Sequence, residues 1–353
     1  MSQQCLVFLI AAALPAAASI QGDSTRGASV FEQQMCATCH PIGGVRRGSG
    51  PDLSKMAGKA FTPVTLVAGL WNHAPAMWTA MASADVAAPK LTPQQSADLF
   101  AYLFVTRFGG GPGDSVRGRK TFVSKSCAEC HNITSPGATG AAAVMKWESL
   151  VDVIELSRQL WMHSPQMRQA AAAKGVKFQD ISAHEMADML AYLKSLPQTK
   201  SLQTKLAPAS AETGETLFKV KGCAGCHQGA NALPKGGTFK SAADFATSMW
   251  NHSAAMKQLA ELRPEEMTRL VGFLFSKQFE QIQGDASRGE HLLNAKTCNG
   301  CHKKSPKAST PYEMISAVWV HGPAMKKASA AKKASWPKLT EAEVSDLMAA
   351  LRK

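Results

Sequence analysis

The chain has 353 residues and a formal net charge of +13, a length that accommodates two to four domains of ordinary size. Hydrophobic residues make up 45% and charged residues 18%, a composition typical of a globular protein and not of a disordered or fibrous one. A basic chain can bind nucleic acid, but no zinc-finger or aromatic RNA-binding signature accompanies the charge, so no nucleic-acid partner is predicted.

The first twenty residues predict export. An apolar run, "LVFLIAAAL" from Leu6 to Leu14, precedes small residues with a cleavage site near Ala18. The run is shorter than the roughly 20 residues that cross a bilayer. Residues 1–18 are therefore interpreted as a signal peptide, and the mature chain as periplasmic or otherwise exported. Because no Lys or Arg precedes the run, an uncleaved N-terminal membrane anchor is the alternative.

A Cys-x-x-Cys-His motif follows the leader four times, as "CATCH", "CAECH", "CAGCH" and "CNGCH". Disulfides, a redox dithiol or half a zinc site could use the cysteines, but none of these explains the His in all four motifs. In c-type haem attachment the thiols add to the two vinyl groups of haem and the His binds the iron. The sequence therefore predicts four covalently bound c-type haems. The attachment residues are Cys36, Cys39, Cys127, Cys130, Cys223, Cys226, Cys298 and Cys301, and the proximal iron ligands are His40, His131, His227 and His302.

The sequence around these motifs repeats as well. A Gly stands nine residues before the first Cys in every case, and Phe or Leu follows that Gly by four residues, on the same helical face. Downstream, Thr92, Ser182 and Thr340 each precede Gln or Glu by three residues, which is typical of a capped helix start. We therefore predict an all-α chain of four tandem domains, here called repeats 1 to 4, at residues 23–108, 115–196, 211–279 and 285–353.

Each repeat resembles the class I cytochrome c domain. In that family an N-terminal helix near the haem motif packs against a C-terminal helix through a small Gly and an aromatic pair. The matching residues are Gly27 with Phe31 and Tyr102, Gly118 with Phe122 and Tyr192, and Gly214 with Phe218 and Phe273. Repeat 4 departs from the pattern, with Leu293 and Ala350 at the aromatic positions. The resemblance implies four small helical bundles, each around one covalent haem.

The resemblance also implies a contact that orients the proximal His. Class I domains often have a Pro after the haem motif whose backbone carbonyl accepts the imidazole N–H. "GPDL" at residues 50–53 matches this element in repeat 1, and Pro136, Pro234 and Pro306 are its candidate counterparts.

A second repeated motif, Trp-x-His-x-x-x-Met, supplies candidates for the distal iron ligand. It occurs as "WNHAPAM", "WMHSPQM", "WNHSAAM" and "WVHGPAM". His and Met four residues apart share one helical face, and only one of them can bind a given iron. The class I resemblance favours Met77, Met167, Met256 and Met325, and the alternative ligands are His73, His163, His252 and His321. The tryptophans, Trp71, Trp161, Trp250 and Trp319, are expected to wall the haem.

Function follows from the likeness of the four sites. A haem enzyme needs at least one iron with an open coordination position, whereas all four motifs here have both candidate distal ligands. The sequence therefore predicts a carrier of single electrons and not an enzyme. The alternative is a cytochrome subunit of a larger oxidoreductase, or a multihaem enzyme with a ligand-switching haem.

Charge is concentrated in repeat 4. Repeats 1 to 3 have net charges of +2, +3 and +2, and repeat 4 has +6. Its lysines include Lys303, Lys304, Lys307, Lys326, Lys327, Lys332, Lys333 and Lys338. We therefore predict acidic redox protein partners that dock at repeat 4, with association at an anionic membrane surface as the other interpretation of the same charge. A solubilising lysine face is the plainer alternative.

Overall fold

The computed structural model describes residues 20, 22–42, 48–55, 61–108, 113–137, 140–202, 213–233, 241–256, 259–278, 284–302 and 307–352. Every regular element in these ranges is a helix, and no strand occurs in them, which confirms the predicted helical class. The predicted signal peptide, residues 1–18, lies outside the described residues. Among the described helices, none has the length and apolarity needed to span a bilayer.

Each repeat contains an N-terminal, a middle and a C-terminal helix. Repeat 1 has α1 (Ser24–Gln33), α2 (Pro63–Ser83) and α3 (Pro93–Phe108). Repeat 2 has α4 (Ser115–Ser124), α5 (Val153–Ala173) and α6 (Ala183–Ser195). Repeat 3 has α7 (Gly214–Val220), a single turn α8 (Cys223–Cys226), α9 (Ala242–Ser253) and α10 (Pro264–Gln278). Repeat 4 has α11 (Ala286–Ala295), α12 (Pro311–Ala331) and α13 (Glu341–Leu351).

The C-terminal helices begin at the predicted signals. Ser182 and Thr340 each form a capping box with the Glu three residues on, and Thr92 exchanges the same two hydrogen bonds with Gln95. These side chains satisfy backbone N–H groups that have no partner inside the helix. The cap positions therefore fix where the C-terminal helices of repeats 1, 2 and 4 start.

The N- and C-terminal helices of each repeat cross at the predicted Gly. A Cβ atom on Gly27 would lie 1.9 Å from the carbonyl oxygen of Asp98, and one on Gly118 would lie 1.9 Å from that of Asp188. Side chains larger than hydrogen are therefore excluded from these crossings. The equivalent crossings of repeats 3 and 4 lie at Gly214 and Gly289.

Aromatic pairs pack beside three of the crossings, as predicted. The ring centroids are 5.5 Å apart for Phe31 and Tyr102, 5.9 Å for Phe122 and Tyr192, and 5.5 Å for Phe218 and Phe273. In repeat 4, Leu293 and Ala350 are buried at these positions. The aromatic pair is thus replaced there by smaller apolar packing.

An Arg–Asp ion pair, which the sequence motifs did not predict, clamps the same crossing in repeats 1, 2 and 4. In repeat 2, Arg117 Nε donates to Asp188 Oδ2 at 2.8 Å, and the carboxylate also accepts the backbone N–H of Asp114. The Asp188 side chain is buried, and the hydrogen bond from Arg117 lowers the pKa of its carboxyl group. The equivalent pairs are Arg26 with Asp98 and Arg288 with Asp346.

The repeats associate in two pairs, the first repeat with the last and the second with the third. The middle helix α2 packs against α12, so repeat 1 contacts repeat 4. The middle helix α5 packs against α9, so repeat 2 contacts repeat 3. The first and last repeats of the chain are therefore neighbours.

Three of the four motif tryptophans, Trp71, Trp161 and Trp250, donate hydrogen bonds across these pairs. The indole Nε1 of Trp71 donates to the carbonyl oxygen of Pro337 at 2.7 Å, across the contact between repeats 1 and 4. Trp161 Nε1 donates to the Ala260 carbonyl oxygen at 3.0 Å, across the contact between repeats 2 and 3. These polar contacts connect repeats, whereas the motif alone led us to expect side chains that wall the haem.

Candidate functional site

Each Cys-x-x-Cys-His segment forms one tight turn directly after the N-terminal helix. The residue before the first Cys is left-handed, with φ of 59° at Met35, 61° at Ser126, 79° at Gly222 and 61° at Thr297. This residue ends the helix and turns the chain. The backbone N–H of the motif His then bonds the carbonyl of the first Cys at 2.9 to 3.0 Å in all four repeats. The backbone of the motif consequently turns in the same way in each repeat.

None of the eight described cysteines forms a disulfide, and the surroundings of the first Cys of each motif do not suit a redox dithiol. Burial raises the pKa of the Cys36 and Cys127 thiols to about 11 and raises that of Cys223 and Cys298 in the same direction. A redox Cys-x-x-Cys needs a nucleophilic Cys whose pKa is lowered. Within the described ranges, no cluster of three or more His, Cys, Asp and Glu side chains is arranged to hold a metal ion. A first Cys whose pKa is raised argues against a redox dithiol, whereas the paired thiols beside a His fit thioether attachment of a haem.

The proximal His of repeat 1 makes the predicted contact with Pro51. Its Nδ1 lies 3.1 Å from the Pro51 carbonyl oxygen, which confirms the expectation from "GPDL". In the tautomer that donates this bond, Nε2 retains a lone pair for a metal. In repeat 3, the Nδ1 of His227 instead faces the carbonyl oxygen of Asn231 at 3.3 Å.

The candidate prolines of the other repeats do not provide the same contact among the described residues. The Pro136 carbonyl accepts a hydrogen bond from the Asn132 side chain at 3.1 Å. Pro234 and Pro306 lie outside the described residues. The orienting contact therefore follows the family pattern in repeat 1 and uses a different carbonyl in repeat 3.

The middle helix brings the His of the second motif opposite the proximal His. In repeat 3 the ring centroids of His227 and His252 are 5.5 Å apart. In repeat 4 those of His302 and His321 are 6.0 Å apart. Metal–imidazole bonds measure about 2.0–2.1 Å for comparable metals. The two rings would therefore have to move apart only slightly to hold a metal between them.

In repeats 1 and 2 the proximal His and the His of the second motif influence each other's charge. Burial lowers the pKa of His73, and the charge of the nearby His40 lowers it further. Burial likewise lowers the pKa of His131, and the charge of His163 acts in the same direction. The facing rings are thus seen in repeats 3 and 4, and in repeats 1 and 2 the two imidazoles are close enough for the charge of one to lower the pKa of the other.

The motif Met occupies a less uniform position than the motif His. In repeats 1, 2 and 4 both side chains lie on the middle helix, which continues past an internal Pro. In repeat 3, α9 ends at Ser253, so Met256 lies beyond the helix. The reason is chain length, because eight positions separate Met256 from Pro264, whereas sixteen separate Met77 from Pro93. The predicted helical face shared by His and Met is therefore confirmed in three repeats and wrong in repeat 3.

A cavity of about 1130 Å³ contains the candidate ligands of repeat 2. Its walls include Cys127, Cys130, His131, His163, Met167, Leu156, Leu160, Trp147 and Trp250. The volume slightly exceeds that of most ligand pockets, which measure roughly 300–1,000 Å³. Repeat 3 completes this cavity with Trp250 and the start of α10. Two thiols, two imidazoles and apolar walls of this size fit a covalently bound haem.

Trp147 packs directly on the proximal His of this cavity. The two rings meet edge to face, with centroids 5.0 Å apart and an interplanar angle of 86°. The indole is itself held by a hydrogen bond from its Nε1 to the carbonyl oxygen of Ala142 at 3.2 Å. Trp147 therefore restricts the orientation of the His131 ring.

The lysines of repeat 4 divide into two groups. Lys326 and Lys338 donate to backbone carbonyls of α2 at 2.9 and 2.8 Å, and so connect repeat 4 to repeat 1. Lys332 donates to the carbonyl of Gly300 at 2.8 Å within its own repeat. The side chains of Lys307, Lys327 and Lys333 are exposed, whereas Lys303 and Lys304 lie outside the described residues.

Comparison with known proteins connects this geometry to a family. Residues 24–104 and 115–197 each match the sequence model of the cytochrome c family. The two regions cover most of repeats 1 and 2, including both repeated motifs of each. No curated protein and no solved structure matches the chain.

Proposed function

The two matched regions support a c-type cytochrome with repeated domains, and from this premise we propose that the protein is an exported tetrahaem carrier of single electrons. The observation that carries the proposal is the facing of two imidazoles beside the two thiols of the motif in repeats 3 and 4, which lie outside the matched regions. When bound, haem supplies the one-electron ferric–ferrous couple.

The side chains hold and orient the group. The two thiols of each motif would form thioether bonds, and Nε2 of the proximal His would bind the iron. In repeat 1 the Pro51 carbonyl holds Nδ1 of His40 and thereby fixes the direction of Nε2. Because a second ligand is available on the middle helix of every repeat, the arrangement favours electron transfer over substrate binding at iron.

We propose further that the distal ligands are the imidazoles of His73, His163, His252 and His321. Each lies on a middle helix, whereas Met256 lies beyond α9. The facing rings of repeats 3 and 4 support the same assignment. Met77, Met167, Met256 and Met325 would then pack beside the haem, and they remain the alternative ligands.

The haem count is tested by mass spectrometry of the intact protein after acid extraction. We expect four covalent haems in the wild-type protein and three in Cys298→Ser/Cys301→Ser, because these two thiols would be the attachment points of repeat 4. A wild-type protein with two haems, or a variant with an unchanged count, would contradict the tetrahaem proposal.

The distal ligand is tested in repeat 3, where His and Met are most clearly separated. We expect the wild-type ferric spectrum to lack a methionine–iron band, and Met256→Ala to leave the spectrum unchanged. His252→Ala should disturb the low-spin signal of one haem. Two imidazoles also give a lower midpoint potential than His with Met, which a redox titration measures. A methionine–iron band that Met256→Ala abolishes would assign this position to Met.

A further inference from the structure

The contacts between repeats contain an Asn side chain that forms two hydrogen bonds with one backbone residue of the opposite repeat. We call this Asn the latch, and only two of the four repeats have it. The residue after the motif Trp is Asn72 in repeat 1 and Asn251 in repeat 3. The Asn72 side chain accepts the N–H of Leu339 at 3.0 Å and donates to the carbonyl of the same residue at 2.7 Å. The Asn251 side chain makes the same two bonds with Ile181, at 2.9 and 2.8 Å. Repeats 2 and 4 have Met and Val at this position, and neither residue can form this bidentate contact.

An aromatic side chain on the opposite repeat complements each latch. Trp336 stands three residues before Leu339, and its ring centroid lies 4.7 Å from that of Trp71. Phe178 stands three residues before Ile181 and stacks on Trp250 at 4.4 Å. The equivalent positions of repeats 1 and 3 carry Ala88 and Leu259. Repeats 1 and 3 therefore supply the latch, and repeats 2 and 4 supply the aromatic ring.

A helix defect strengthens the contact between repeats 1 and 4. Pro75 lies inside α2 and lacks an N–H, so the carbonyl of Trp71 has no partner within the helix. The indole Nε1 of Trp336 donates to this carbonyl at 3.0 Å. On the other side of the interface, α12 has Gly322 where a Cβ atom would lie 2.4 Å from the Trp78 ring. The free carbonyl of α2 and the missing side chain of α12 thus each accommodate a Trp ring of the opposite repeat.

The paired helices also carry the candidate iron ligands. α2 contains His73 two residues after Trp71, and α12 contains His321 next to Gly322. Axes of directly packed helices lie about 8–10 Å apart. The candidate sites of repeats 1 and 4 are therefore separated by one helix–helix contact, and α5 and α9 place those of repeats 2 and 3 in the same relation.

We propose that this latch-and-ring docking makes repeats 1 and 4, and repeats 2 and 3, the pairs between which electrons pass, so that the electron path does not follow chain order. The inference rests on the proposed function. In each exchange one ferrous iron becomes ferric and the paired ferric iron becomes ferrous, and no bond forms or breaks.

The pairing itself is tested by cutting the chain between repeats 2 and 3. A protease site is inserted within residues 203–212 of the full-length holoprotein. Because both proposed pairs span the cut, native mass spectrometry should show the two halves together, with all haems, after cleavage. A second chain carries Asn72→Ala, Trp336→Leu, Asn251→Ala and Phe178→Leu, and its cut halves should separate. Separation of the halves without these substitutions would overturn the pairing.

Electron exchange is tested in the uncut holoprotein after a pulse that delivers one electron per molecule. The concentration-independent relaxation should contain fast phases for the two pairs. Asn72→Ala/Trp336→Leu should remove the phase of repeats 1 and 4, and Asn251→Ala/Phe178→Leu should remove that of repeats 2 and 3. Each variant is the matched control of the other.

Haem content and complete chemical reduction are measured on the same samples. Full loading and full reduction with unchanged relaxation in both variants would overturn the inference and leave the proposed function standing. A wild-type protein that carries no haem, or is not reversibly reduced, would instead contradict the proposed function itself.

Discussion

At the scale of single residues, the terminal helices of a repeat can cross closely only because a glycine at the crossing has no Cβ atom. A Cβ atom on Gly118 would lie 1.9 Å from the Asp188 carbonyl oxygen and 2.8 Å from the Cβ of Tyr192. The first of these neighbours is backbone and cannot rotate away. A side chain at this position therefore requires the two helices to separate, which also disturbs the clamp between Arg117 and Asp188.

Gly118→Ala should destabilise the holoprotein by about 1–3 kcal/mol, the usual cost of overpacking. Helix propensity alone would favour Ala here by about 1 kcal/mol, so the expected sign opposes propensity. Gly69→Ala is the matched control, since Gly69 is also helical and a Cβ there meets nothing within 4 Å. Denaturant unfolding followed by circular dichroism measures both variants. Stabilisation by Gly118→Ala would contradict the close crossing.

At the scale of helices, repeat 3 differs most from the other three. Its N-terminal helix α7 has seven residues, whereas α1, α4 and α11 have ten each. The Arg–Asp clamp is missing as well, because Thr213 and Arg269 occupy the two positions. A Cβ atom on Gly214 would still lie 2.2 Å from the Arg269 carbonyl oxygen. The helix crossing is therefore present in repeat 3 without the ion pair that stabilises it elsewhere.

Restoring the clamp should stabilise repeat 3. Thr213→Arg/Arg269→Asp introduces the pair found in repeats 1, 2 and 4, and we expect a gain of about 1 kcal/mol, because the Arg remains partly exposed and screened. Hydrogen exchange of the α7 and α10 amides is the direct measurement. Arg269→Asp alone should give little or no gain, since the new carboxylate has no Arg at position 213 with which to pair. If the double variant protects these amides no better than the single one, the clamp does not stabilise the crossing.

Local signals predicted the helix starts, the Gly crossings and the aromatic pairs, because each depends on residues three to four positions apart on one helix. The clamp was visible only as an Arg directly before the Gly, as in Arg26 and Arg117, and its Asp lies 58 to 72 positions downstream. The pairing of repeats depends on contacts such as Trp71 with Pro337, 266 positions apart. No helical periodicity encodes such a contact, so the interface role of the tryptophans could not be predicted from the motif.

At the scale of the whole molecule, pairing changes which charges remain available to a partner. Lys326 and Lys338 of repeat 4 bond the backbone of α2, so they stabilise the contact with repeat 1. The exposed lysines Lys307, Lys327 and Lys333 are the described members of the predicted docking surface. Under the proposed pairing, an electron delivered at this surface would reach repeats 4 and 1 before repeats 2 and 3. Docking of acidic partners at this surface stays a prediction.

Charge reversal distinguishes docking from a merely solubilising lysine face. Lys327→Glu/Lys333→Glu should slow electron transfer to an acidic redox protein at low salt and flatten the dependence of the rate on ionic strength, because steering acts over about a Debye length, ~10 Å at 0.1 M salt. Arg119→Glu/Lys120→Glu places the same change on the exposed face of α4 in repeat 2 and is the matched control. Unfolding measurements should show both variants as stable as the wild-type protein, since neither pair of substitutions touches the contact between repeats 1 and 4. A rate that falls equally in both variants would mean that total charge, and not repeat 4, determines association.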